Sequence, residues 1–280
     1  MSNAVNRESI EKLTLTRFAG NVYYEFMVLP VYQQLRATAR RVAAALPKPA
    51  FYERHANFIQ QANETLATHE LVRRCRSYLD ESQMECAHGL FHCEAVARDA
   101  GALILIEMTE RGTNWQETEP LFLAAIIAGL LHDIKRREED HAFRGSIEAE
   151  KILTGLGMNL KERQYIADAI RNHEAFQETF DRDDDAGRLV SDALYDADKF
   201  RWGPENFTTT LWLIVETRNT PLELLHRTFR EKMKGIEKIK ETFRTSTGKQ
   251  YGPEFIDQGI AIGNVIFSEL SSMLFSEKEG

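Results

Sequence analysis

Between Leu121 and Leu131 the chain carries no polar side chain, and it then passes through His132-Asp133 into the charged run Lys135-Arg136-Arg137-Glu138-Glu139-Asp140. A helix that is apolar on every side must be surrounded, either by other protein elements or by lipid. Crossing a bilayer takes ~20 apolar residues, and this run is about half of that. It therefore reads as a helix buried in the middle of a domain, and the chain leaves the interior for the surface at His132-Asp133.

The remaining pattern is helical. With 16 glycines and 7 prolines in 280 residues, the chain has too few punctuators for a sandwich or barrel that turns every 8–12 residues. Residues 1–46 show helical periodicity around Phe18, Val22, Phe26 and Leu35, broken by Pro47-Lys48-Pro49. From Phe51 to Leu79 apolar positions recur at helical spacing, up to the polar run Asp80-Glu81-Ser82-Gln83. A helix from about Leu90 to Glu110 puts His92, Val96, Ala100, Leu103 and Glu107 near one stripe. Asn114 to Pro120 reads as a loop. Ser146 is expected to cap one helix, and Asn159 a second that ends near His173. After a loop at 181–188 comes Leu189 to Phe200, and Pro204, Pro221 and Gly252-Pro253 divide the rest into about three helices. No repeat or linker interrupts this, so the expectation is one all-α domain over 1–280, with helical extensions at 1–81 and 216–280.

Charge and cysteine usage narrow the function classes. With 35 basic against 43 acidic residues, a net charge of −8 leaves no electrostatic footprint for duplex nucleic acid, while a small phosphate remains compatible. Three cysteines, Cys75, Cys86 and Cys93, do not make a disulfide framework. The N-terminus lacks a basic segment followed by an apolar one. A soluble cytoplasmic protein is expected.

The chemistry is carried by the histidines. His92, His132 and His173 each stand at the end or on the buried side of an apolar helix, where an unpartnered polar group is costly. A divalent ion would gather neutral imidazoles and offset the buried charge of Asp133. The ordinary alternative for His132-Asp133 is a helix C-cap pair. For His92 a competitor stands one turn earlier, His88.

These residues resemble a family. His92, then His132-Asp133 behind the apolar helix, then Asp198 within Asp196-Ala197-Asp198-Lys199-Phe200, is similar to the H…HD…D signature of the HD superfamily of metal-dependent phosphohydrolases. The resemblance covers about 82–215. It implies an HD-like helical bundle in which His92, His132, Asp133 and Asp198 bind a divalent transition metal (Mn, Fe, Co, Ni or Zn) and hydrolyse a small phosphate ester, nucleotide or cyclic nucleotide. His141 and His173 resemble the extra ligands of members that hold two metals, although the Asp133-to-His141 spacing is short and Asn172 stands where some dinuclear members have another histidine. One ion or two is left open. Asp133 is the expected catalytic centre, and Lys135 and Arg171 are expected to hold the phosphate.

Two other readings stand beside this one. Some HD-type proteins with a similar ligand order are di-iron oxygenases, and a non-catalytic scaffold would use the helical extensions to bind a partner. Weaker signals read blandly. Asp181, Asp183 and Asp185 imitate a calcium loop but lack its glutamate. Cys93 reads as core, and Lys232, Lys234, Lys238 and Lys240 as the wet side of a helix.

Overall fold

The computed structural model describes residues 30–80, 86–180 and 183–276. The expected helix around Phe18, Val22 and Phe26, most of the polar run after Asp80, Cys86's side chain and Asp181 lie outside the described residues. Those described residues form α-helices and no strand: α1 (Pro30–Ala45), α2 (Ala50–Arg54), α3 (Ala56–Thr68), α4 (Glu70–Arg76), α5 (Leu90–Glu110), α6 (Trp115–Leu131), α7 (His141–Gly155), α8 (Leu160–Arg171), α9 (Asp185–Phe200), α10 (Leu211–Thr217), α11 (Leu222–Lys238) and α12 (Ser246–Ser276). No described helix is long and apolar enough to cross a membrane.

The centre is the pair α5 and α6, against which α8 and α9 pack. From Ala124 onward α6 is buried all round, with Ala124, Ile126, Ile127, Leu130 and Leu131 fully inaccessible. The two helices meet closely because of Gly129: a Cβ there would lie inside van der Waals contact of the Ala97 backbone on α5. That close approach sits one turn before His132, so it also sets how near His132 comes to the start of α5.

Four local boundaries differ from the sequence expectation, each for a visible reason. The segment 114–120 is the first turn and more of α6, not a loop, because the Asn114 side chain accepts the Glu117 backbone N–H at 3.1 Å and Pro120 is accommodated inside the helix. Ser146 caps nothing. Helix α7 already begins at His141, after Asp140 in the left-handed conformation (φ 52°), and the Ser146 hydroxyl donates to Phe143 O at 2.7 Å. Gly252-Pro253 lies within α12 and does not divide it. The Phe243 ring occupies the space a Cβ at position 252 would need. By contrast Asn159 caps α8 as expected, through the Glu162 N–H at 3.0 Å. Helix α9 begins at Asp185 and not at Leu189, so residues 185–188 of the expected loop are helical, because the Asp184 side chain caps the helix by accepting from Ala186 and Gly187.

The start of α12 is seated on two buried carboxylates. Asp196 on α9 accepts the N–H groups of Arg244 and Thr245, each at 2.8 Å, and the Thr245 hydroxyl at 2.7 Å. Glu107 on α5 accepts the N–H and hydroxyl of Thr247. Burial pushes the Asp196 carboxyl up to about 7, against the donors that favour its charge. Asp196 thus anchors the C-terminal helix to the core.

Candidate metal centre

Helix ends converge to build the site. His92 lies in the first turn of α5, His132 and Asp133 directly follow α6, and His141 is the first residue of α7. His173 follows Asn172 at the end of α8, and Asp198 lies in the last turn of α9. All six are brought together, and His132 is fully buried.

They form two trios. In the first, His92 Nε2 lies 3.2 Å from His132 Nε2, and Asp198 Oδ1 lies 3.4 Å from His92 Nε2 and 3.8 Å from His132 Nε2. In the second, His141 Nε2 and His173 Nε2 are 3.2 Å apart, and Asp133 Oδ1 is 3.6 Å from each. The other oxygen of Asp133, Oδ2, turns to the first trio, 3.4 Å from His132 Nε2 and 3.9 Å from His92 Nε2. One carboxylate therefore faces both groups, with one oxygen to each.

Two observations test whether these residues fit a metal ion. His132 Nδ1 lies 2.8 Å from Gly129 O, and His173 Nδ1 lies 2.6 Å from Ile170 O. A carbonyl can only accept, so each Nδ1 carries the proton and each Nε2 presents a lone pair to the site, the usual arrangement behind a ligating imidazole. Nitrogens that each sit ~2.0–2.1 Å from one ion stand about 3 Å apart, as both imidazole pairs do. Second, Asp133 Oδ1 is buried and makes no hydrogen bond. Leaving such an acceptor unsatisfied costs ~1–3 kcal/mol or more when it is charged, a cost that a cation at the second trio removes. The donor set fits a divalent ion.

The carboxylates and imidazoles are electrostatically coupled. Burial alone would raise the Asp133 carboxyl, but the imidazoles of His132 and His173 hold it well below the usual carboxylate range. Asp198 is likewise penalised by burial and held low by Lys199, His92 and His132. His132 would be lowered by burial, yet Asp133 and Asp198 raise it. His141 is lowered by burial, Arg136 and His173, which keeps it neutral and able to ligate.

A cavity of about 590 Å³ opens from this centre. Its polar end is lined by His92, Asp133, His173 and Asp198, together with His88, Arg136, Lys199 and Arg201. Lys199 is buried, and its Nζ donates to Asp198 Oδ2 at 2.6 Å and to His173 O at 2.9 Å, tying the two trios together. Arg136 Nη1 lies 2.6 Å from His141 Nε2 and 3.9 Å from Asp133 Oδ1, so a guanidinium faces the second trio. Arg201 also pairs with Asp99, Tyr52 and Glu205, a network that joins α2 and α5 to the end of α9.

The two cations expected from sequence stand elsewhere. Lys135 Nζ pairs with Glu138 at 3.2 Å, and the Arg171 guanidinium lies over the rings of Phe143 and Phe180; neither lines the cavity. The signal for Arg136 was its position three residues after Asp133, and for Lys199 its position beside Asp198. Asn172 is no ligand. Its amide grips both the N–H and the C=O of Phe180, at 2.8 Å each, and so pins the segment that carries His173. Cys93 is core, as expected, and burial pushes its thiol well above the ordinary range.

No family model matches the chain, and no curated protein does. The chain is similar to a predicted HD superfamily hydrolase. That solved structure, from an uncultured Thermotogales bacterium, is 21% identical, with 75% of this chain and 92% of that chain covered and a TM-score of 0.37.

Proposed function

We propose that the protein is a metal-dependent phosphohydrolase acting on a small phosphate ester. The observation that carries this reading is the Asp133 carboxylate, buried, with one oxygen toward His92 and His132 and the other, unsatisfied, toward His141 and His173. His92, His132 and Asp198 would hold one divalent transition ion and His141 and His173 a second, with Asp133 shared; Mn, Fe, Co, Ni and Zn all suit such a donor set. When bound, such ions lower the pKa of a bound water toward ~7 and polarise phosphoryl oxygens.

The protein's own groups do the rest. Arg136 and Lys199 supply positive charge at the polar end of the cavity, where the phosphate oxygens gather charge in the transition state. Lys199 also fixes the orientation of Asp198. His88 lines the same end, half-buried with its ring 5.1 Å from that of His92, and would be the group that gives a proton to the leaving oxygen. The Gly129 and Ile170 carbonyls hold His132 and His173 in the tautomer that ligation needs.

The test is metal content by elemental mass spectrometry on anaerobically purified protein, followed by hydrolysis of a phosphomonoester panel by wild type and Asp133→Ala. Metal-dependent turnover that vanishes in the variant, with the helical circular-dichroism signal kept, supports the reading. Retained turnover sinks it.

A second reading keeps the metals and changes the chemistry. Because both His141 and His173 face Asp133, the ligands for two irons are grouped, and a di-iron oxygenase is compatible with that set. Oxygen uptake coupled to an organic substrate, without phosphate release, separates it from hydrolysis.

A further inference from the structure

The cavity that opens from the metal centre has two unlike ends. Near the ligands it is lined by Arg136, Lys199, Arg201 and His88, with Glu174 the one added acidic side chain beside His173. Away from them the wall is mostly apolar, with Phe207, Leu211, Ile214, Phe229, Met233 and Ile236 contributed by α10, α11 and the turn before α10, and Lys232 of α11 the charged residue among them. That turn, Asn206–Thr210, is a π-helix, a departure from α-geometry that is frequent at functional sites. Of its residues Asn206, Phe207 and Thr210 face the cavity, where Asn206 and Thr210 add uncharged polar side chains to the lining.

A volume of about 590 Å³ lies within the ~300–1,000 Å³ of small-molecule sites, far more than a phosphate group fills. A sugar or nucleobase placed against this wall would leave most of its polar edge unpaired, and each such group costs ~1–3 kcal/mol. A hydrocarbon body meets no such penalty. Its burial is favourable in proportion to the apolar area covered.

We propose that the substrate is amphiphilic: a phosphomonoester of an alkyl, prenyl or aryl alcohol, its phosphate at Arg136 and Lys199 and its hydrocarbon body against Phe207, Ile214, Phe229 and Met233. This inference rests on the phosphohydrolase reading and narrows it. The specificity comes from α10 and α11, outside the segment that carries the metal ligands, so the C-terminal helical region is the part of the chain that selects the substrate.

The experiment measures binding and turnover separately, on the full chain loaded with manganese. Linear alkylphosphonates from two to twelve carbons are titrated calorimetrically, and the matching alkyl phosphomonoesters are assayed for phosphate release. Affinity should rise about fourfold per methylene, the factor that corresponds to ~0.8 kcal/mol per buried CH₂, until the cavity is full. Ile214→Trp, a partly exposed wall position, should move the break in the series to a shorter chain. Phosphonates that bind with no dependence on chain length, or that fail to bind at any length, overturn the amphiphile inference. Rising affinity without release of phosphate from any ester leaves the amphiphilic site standing and removes the hydrolase reading instead.

Discussion

The two ligand trios are chemically alike and structurally unlike. His92, His132 and Asp198 stand on the ends of α5, α6 and α9, the helices that make the core, and His132 is completely inaccessible. Two of them are held from outside: Gly129 O holds His132, and Lys199 holds Asp198. The second trio draws His141 from the start of α7, behind a charged surface turn and a left-handed Asp140. Its carboxylate oxygen lacks a hydrogen bond, and a half-exposed guanidinium faces it. The difference teaches that a site whose carboxylate is already held by a buried amine is preorganised by the fold, whereas one whose carboxylate oxygen is left unsatisfied depends more on the ion itself.

Experiments that break or sharpen this contrast can be ordered by expected effect. Asp133→Ala removes the ligand common to both trios and should lower turnover by more than the ~10²–10³-fold that loss of one stabilising donor produces, with both ions lost by elemental analysis. His132→Ala and His141→Ala each disable one trio and should each retain about one ion per chain, but the ion left in His141→Ala, held by the intact core trio, should resist a chelator more than the ion left in His132→Ala. Equal chelator resistance in these two variants would erase the distinction between the trios. Lys199→Met leaves every ligand in place but frees Asp198, and metal affinity measured by competition with a chelator should fall ~10–100-fold. Asp196→Ala touches neither trio. It removes three hydrogen bonds at the start of α12, and chemical denaturation should show a loss of ~1–3 kcal/mol, with the folded protein keeping its metal. Lys135→Ala should change stability by less than about 0.5 kcal/mol and turnover by less than about twofold, since its amine pairs with Glu138 at the surface. A large loss there would return the phosphate site to Lys135.

Much of this was legible before any coordinates. The buried character of Leu121 to Leu131, the exit at His132-Asp133, the Asn159 cap and the helix from Leu90 to Glu110 all follow from side-chain polarity at helical spacing, which acts locally. The candidate ligands could be named because polar groups at the ends of apolar helices need partners, and the structure gathers them. What stayed hidden were contacts between distant residues. Arg136 and Lys135 are neighbours in sequence, yet one faces His141 and the other Glu138, a matter of rotation within one tight turn. Arg171 looked like a phosphate ligand by its closeness to His173, but the Phe143 and Phe180 rings hold it. Gly252-Pro253 looked like a break because the space taken by the Phe243 ring cannot be read from local pattern.

By itself, then, the sequence determined an all-helical chain with a buried apolar helix and a set of histidines and aspartates suited to a divalent ion. Those properties depend on residue type and on a period of 3.6, which neighbouring residues already define. The tertiary structure alone decided that the six candidate ligands divide into two trios around Asp133, that Lys199 and Arg136 face the cavity, and that α10 and α11 close it with a mostly apolar wall. Each of these depends on how far apart packed helices stand, as at the contact of Gly129 with Ala97, and a distance of that kind is set by the core as a whole.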